Sequence, residues 1–139
     1  MRQHIFGLAL LLLLDLSTSQ VINKLEVKTA DESWASMNVA TVGLEIFNDN
    51  FDVCIIDKLD NPDNNFEAGF TDTFTGSQLQ ECQAFPAPNH GIPLLRLKHW
   101  GPDQWIPEYI RVYFDDDVYV ECPDGYGIDN DQAHELDCR

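Results

Sequence analysis

Basic residues are scarce in this chain. Eight Lys and Arg stand against 24 Asp and Glu, which leaves a formal charge of −16 over 139 residues. A field of that sign excludes nucleic acid as a partner and disfavours anionic lipid headgroups, because both are polyanions. It attracts cations, basic proteins and calcium-bearing mineral, and it also serves plain solubility. Long apolar runs are scarce too. The single one, residues 5–14, is shorter than the roughly 20 residues a membrane span needs and is closed by Asp15. No amphipathic run with a 3.6-residue period has useful length, so long helices are excluded. Internal repeats, low-complexity tracts, a second domain and Asn-x-Ser/Thr sequons are all missing.

Catalytic motifs are equally sparse. His134-Glu135 lacks a second His four residues on, which a zinc-protease helix requires. Ser77 follows Gly76 without the Gly-x-Ser-x-Gly elbow. His90 lies in a Pro/Gly loop, and His99 ends an apolar alternation, where a packed or capping role fits better than a general base. Carboxylates are plentiful, but a glycosidase-like pair is defined by a separation that sequence does not contain.

What is present begins with a leader. A short, weakly basic start, the apolar run at 5–14 and the small residues Ser17-Thr18-Ser19 form a signal peptide over residues 1–19. Its removal takes one Arg and one Asp, so the charge stays at −16. About 120 residues remain, the size of one domain. The expected product is secreted and has no transmembrane segment.

All four cysteines, Cys54, Cys82, Cys122 and Cys138, follow the leader. An even count in that setting points to disulfides. Three pairings exist. Cys54–Cys82 with Cys122–Cys138 is favoured, because each pair is sequential and closes a moderate loop. Zinc is disfavoured by the lack of Cys-x-x-Cys or paired His spacing.

Strand signals are frequent. In residues 92–122, Leu95, Leu97 and His99 alternate with Arg96 and Lys98; Ile110, Val112 and Phe114 alternate with Arg111 and Tyr113; Val118 and Val120 alternate with Tyr119 and Glu121. A period of two puts each apolar set on one face of a strand. Gly101-Pro102-Asp103 and Asp115-Asp116-Asp117 separate these strands. Upstream, residues 21–29, 37–47 and 51–57 read as strands, with Ala40, Val42, Leu44 and Ile46 on one face. One or two more are expected in 71–82, around Gly76. The fold class is all-β: an antiparallel β-sandwich of two roughly four-stranded sheets. Its body is expected over 20–122, followed by an acidic tail, 123–139, pinned back by Cys138. Leu95, Leu97, Ile110, Val112, Val118 and Val120 should share one core.

Calcium is the ligand these side chains make plausible, since hard cations want several oxygens. Asp57, Asp60 and Asp63, then Asp115, Asp116 and Asp117, are candidate metal ligands; Asp124, Asp129 and Asp131 form a third acidic group. None has the EF-hand spacing, and solvated acidic turns are favoured over a tight site. No cofactor is certain. Trp100 and the neighbouring His99 are candidate binding residues, whereas Trp105 reads as a plug for an open end of the sandwich.

The pattern Leu95-x-Leu97-x-His99, Trp105, Ile110-x-Val112, and Tyr119 with Cys122 resembles the second half of the PLAT, or lipoxygenase homology, domain. Residues 40–46 are similar to that family's early strand, and Gly69-Phe70-Thr71-Asp72-Thr73-Phe74 to its Gly-x-x-Asp-x-Phe stretch. The match runs over 23–122. It implies two four-stranded sheets and a non-catalytic module that binds lipid or protein, sometimes with calcium in its loops. This chain differs by an Asn/Asp-rich insert at 57–65 and an acidic continuation past Cys122, and it is expected to stand alone without an attached enzyme.

Three functions follow as expectations. The first is a secreted, non-enzymatic module that recognises an extracellular protein or lipid, with calcium assisting. The second is an acidic extracellular or biomineral matrix protein that associates with calcium. The third is a small secreted hydrolase.

Overall fold

A computed structural model describes residues 21–32, 41–61, 65–82, 92–115, 118–124, 127–128 and 132–138. Residues 1–19, expected to be a leader, and Ala40, Asp63, Asp116, Asp117, Asp129 and Asp131 lie outside them, as does the side chain of Asp115. Eight strands form: β1 (Lys24–Thr29), β2 (Thr41–Phe47), β3 (Val53–Ile56), β4 (Thr71–Thr75), β5 (Ile92–Trp100), β6 (Pro107–Asp115), β7 (Val118–Pro123) and β8 (Ala133–Cys138). They make two four-stranded antiparallel sheets, ordered β4-β1-β6-β7 and β3-β2-β5-β8.

The alternation read from sequence is what joins these sheets. In the first, Leu25 sits opposite Phe74 and Val112, and Val27 opposite Ile110. In the second, Leu44 sits opposite Leu97, and Ile46 opposite Leu95. All are buried, and each large apolar side chain so removed from water contributes about 1.5–3 kcal/mol. Trp105 plugs one end as expected: it is fully buried, its Nε1–H donates to Thr29 Oγ1 at 3.0 Å, and its ring lies 4.9 Å from that of Phe66.

Phe66 reaches that core in a left-handed backbone conformation, φ 62°. Its N–H donates to Asp72 Oδ2 at 2.8 Å. Burial pushes the Asp72 carboxyl above its ordinary value, against this hydrogen bond, which favours the charged form.

Three expectations need correction, and a fourth is narrowed. Val118 is 48% exposed rather than in the core, because the β6–β7 ladder shifts register between Tyr113 and Asp115; Val120 is partly buried against the core. Residues 71–82 hold one strand, within the one or two expected. Gly76 (φ 64°) breaks it, the Thr75 N–H turns to Gln78 Oε1, and a short 3₁₀ segment, Gly76–Cys82, follows. The strand expected over 51–57 is shorter, since Phe51 is itself left-handed. Finally, residues 123–139 are not merely a pinned tail. β8 is a full member of the second sheet and pairs with β5 from Cys138 opposite Ile92 to Ala133 opposite Lys98.

Both disulfides pair as favoured. Cys54–Cys82 ties β3 to the 3₁₀ segment, with Cα atoms 5.2 Å apart. Cys122–Cys138 joins β7 to β8, and hence one sheet to the other, at 4.6 Å. Each contributes about 3 kcal/mol by restricting the unfolded chain, and such bonds persist in oxidising compartments.

Candidate functional site: the loop end around Trp100

One end of the sandwich gathers the chain after β1, after β3, before β4, between β5 and β6, and after β7. Backbone hydrogen bonds knit these pieces: Ala30 N to Ile106 O at 2.9 Å, Thr29 N to Phe70 O at 3.1 Å, Gly69 N to Thr29 O at 3.1 Å, and Trp105 N to Ile128 O at 3.1 Å. Among the described residues, two large aromatics stand exposed there, Phe70 at 62% and Trp100 at 42%.

Trp100 is outward because β5 alternates: Arg96, Lys98 and Trp100 share the outer face of the second sheet. Its ring lies over Gly43 of β2. A Cβ added at Gly43 would stand 3.0 Å from Trp100 Cζ3 and 2.9 Å from the Asp57 carbonyl oxygen, so glycine lets both approach. Phe70 is held by a turn in which its N–H donates to Glu67 O at 3.0 Å. Gly69 (φ 78°) precedes it and passes close to the Asp31 carboxylate.

The same alternation takes His99 inward. It is fully buried, so it is not a contact residue of this surface. Its N–H bonds Gln132 O at 3.0 Å and helps fix the end of β5 beside β8.

The loops of this end carry Asp31, Glu32, Asp57, Asp60, Glu67 and Asp103, with Lys58 as their one basic residue. Asp60 is engaged locally: Lys58 Nζ lies 3.4 Å from its Oδ2, and Asn65 Nδ2 donates to its Oδ1 at 3.1 Å. Asp57 is exposed. Among the described residues no three His, Cys, Asp or Glu groups stand close enough to hold one metal ion. The structure brings Asp57 beside Trp100 but assembles no finished calcium cage from the described part of the expected set.

Sequence reading missed a pairing on the side of the molecule. Asp124, whose side chain is 1% exposed, meets His134 Nδ1 at 3.0 Å between β7 and β8. A shallow cleft of about 370 Å³ opens over His134, Pro123 and Leu136. Ten residues separate the partners and both lie in an acidic stretch, so only the spatial neighbourhood of β7 and β8 reveals them. Asp124, of the third acidic group, thus has His134 as a neighbour. Phe70 is a surface group too, which the Gly-x-x-Asp-x-Phe-like stretch around it does not reveal.

No family model matches the chain, and no curated protein matches it by sequence. Solved structures do. An alpha toxin from Clostridium absonum superposes with a TM-score of 0.65 at 21% identity, over 88% of this chain and 34% of the toxin. The alpha-toxin of an avian strain of Clostridium perfringens gives 0.63 at 18%, over 86% and 32%. A coral 8R-lipoxygenase, described as calcium-activated via a C2-like domain, gives 0.59 at 20%, over 84% and 16%. The likeness shows the fold, a PLAT- or C2-like sandwich. The chain spans about a third of the toxins and a sixth of the lipoxygenase. Among the described residues no helix is long and apolar enough to cross a membrane.

Proposed function

We propose that this chain is a secreted, non-enzymatic binding module whose acidic loop end engages a lipid surface or an extracellular protein, with calcium joining the two. The observation that carries the reading is the pair of exposed aromatics, Trp100 and Phe70, set among carboxylates on a PLAT/C2-like sandwich. Burying two such rings in a partner supplies affinity. The surrounding acids repel an anionic headgroup unless a divalent cation bridges the two, which makes contact conditional on calcium. The calcium-activated coral lipoxygenase, which shares the fold, supports that condition. The non-enzymatic part rests on the sequence, where no nucleophile motif accompanies the acids of this end.

The test is sedimentation with phosphatidylcholine/phosphatidylserine vesicles at zero and millimolar calcium. Calcium-dependent binding that falls about tenfold or more in Trp100→Ser and Phe70→Ser supports the reading. Millimolar, multi-site calcium uptake without vesicle or protein binding sinks it and favours the acidic matrix role, for which charge density alone suffices.

A further inference from the structure

At the opposite end of β2, about 20 Å from Trp100 by strand length, the β2–β3 hairpin places a second aromatic in solvent. Phe51 is 75% exposed and holds φ 61°, in the left-handed region. In a three-residue hairpin loop that position favours glycine. Side chains other than Gly, Asn and Asp adopt it against steric resistance. The turn is nevertheless firmly built. Asn48, itself buried, accepts the N–H groups of Asn50 and Asp52 on its Oδ1, both at 3.0 Å, and its carbonyl accepts the Phe51 N–H at 3.0 Å. Strain is thus held at a ring that contributes no core burial, a signature of a functional position.

The strand leaving the turn continues the apolar surface. Val53 (40% exposed) and Ile55 (43%) point outward from β3. Val53 pairs with Phe47 and Phe47 with Leu94, so one apolar row crosses three strands of the outer face. Three strands span about 10 Å, the width of one helix. Asp49 and Asp52 rim the row, and no basic residue occurs in the hairpin. Arg96, over the Phe47 ring, is already bonded to Glu45 and Glu135.

We infer that this hairpin and row form a second docking surface, for a basic, amphipathic segment of a protein partner. Apolar contact with an acidic rim selects an apolar stripe flanked by Lys or Arg. It disfavours a second copy of this −16 chain and an anionic bilayer. The surface is independent of the loop end.

The probe is a 14-residue amphipathic helical peptide of Leu and Lys, with a scrambled peptide of the same composition as control, titrated at physiological salt. The amphipathic peptide is expected to bind the full chain, and Phe51→Gly to weaken it about tenfold with Tm unchanged or raised. Ile55→Thr should weaken it several-fold, and Val118→Ser, an exposed apolar site elsewhere, should not. A merely structural Phe51 would instead lower Tm on substitution and leave binding intact. The inference is overturned if neither peptide binds, if the scrambled peptide binds equally and Phe51→Gly has no effect, or if Phe51→Gly dissociates a dimer or abolishes binding to phosphatidylcholine vesicles.

Discussion

On the outer face of the β4-β1-β6-β7 sheet, aromatic rings are met by cations. Lys24 Nζ lies 4.1 Å from the Tyr113 ring centre, and Arg111 lies 4.5 and 4.8 Å from the rings of Tyr109 and Tyr119. Cross-strand register lines up Thr73, Glu26, Arg111 and Glu121 in one row and Thr75, Lys24, Tyr113 and Tyr119 in the next. The outer face of the β3-β2-β5-β8 sheet is arranged otherwise. Its charges gather in the middle, where Glu45 receives Lys98 at 2.7 Å and Arg96 at 3.3 Å. Its apolar groups stand to either side, Trp100 over Gly43 at one end and the Val53–Phe47–Leu94 row at the other. One face meets its tyrosine rings with cations; the other meets Phe47 with Arg96 but leaves Trp100 and Phe51 in solvent.

Four tests bear on that contrast. The largest effect belongs to Gly43→Val, which forces apart Trp100 and the Asp57 carbonyl; a loss of about 1–3 kcal/mol is expected in urea unfolding. Thr73→Ala on the other sheet should stay within about 0.5 kcal/mol. Equal losses would remove the idea that Trp100 is held in place by the space over glycine.

Next is Arg111→Ala. It removes the 2.9 Å contact with Glu121 and two ring contacts, for about 1 kcal/mol after allowance for solvent screening. If Arg111→Lys restores full stability in the same titration, the stacked guanidinium is not what matters.

A third test uses pH. The bonded Lys98 ammonium holds the Glu45 carboxyl below its ordinary value of 4.5; burial opposes this and Arg96 reinforces it. A depressed carboxyl stabilises the fold above its unfolded value and loses that contribution as pH falls from about 4.5 through its folded value. Asp72, raised by burial, has the opposite sign: its contribution is present below its unfolded value of 3.8 and lost as pH rises through the folded one. Glu45→Gln should therefore flatten the acid limb of the stability curve by about 1 kcal/mol or less; an unchanged limb would show the central charges to be idle.

The smallest effect is Phe51→Gly, expected to be neutral or to stabilise by up to about 1 kcal/mol as left-handed strain is relieved. A clear loss would mean that the ring packs in solution.

The sequence was readable wherever period two met apolar residues. Leu95, Leu97, Ile110 and Val112 reveal their face because alternate side chains of a strand point to opposite sides. β8 was not readable. His134, Leu136 and Cys138 do alternate with Ala133, Glu135 and Asp137, but an acidic hexapeptide with a single aliphatic has little strand preference alone. It is a strand because β5 offers an unpaired edge and Cys122 a thiol. At the loop end, Trp100 could be singled out by type, but its accessibility and its place over Gly43 depend on β2 lying alongside. His99 next to it is core, as its place in the alternating set with Leu95 and Leu97 indicated, and not the binding residue it was also a candidate for, since adjacent strand residues face opposite ways.

Composition and spacing by themselves determined the class of fold, the favoured cysteine pairing and the anionic exterior, because burial periodicity, chain closure and summed charge are properties of order along the chain. Which aromatics remain in water, which acids are taken by Lys58 or His134, and which strand ends meet were decided by packing. Those are relations between residues far apart in sequence, and they exist only once two sheets are laid face to face.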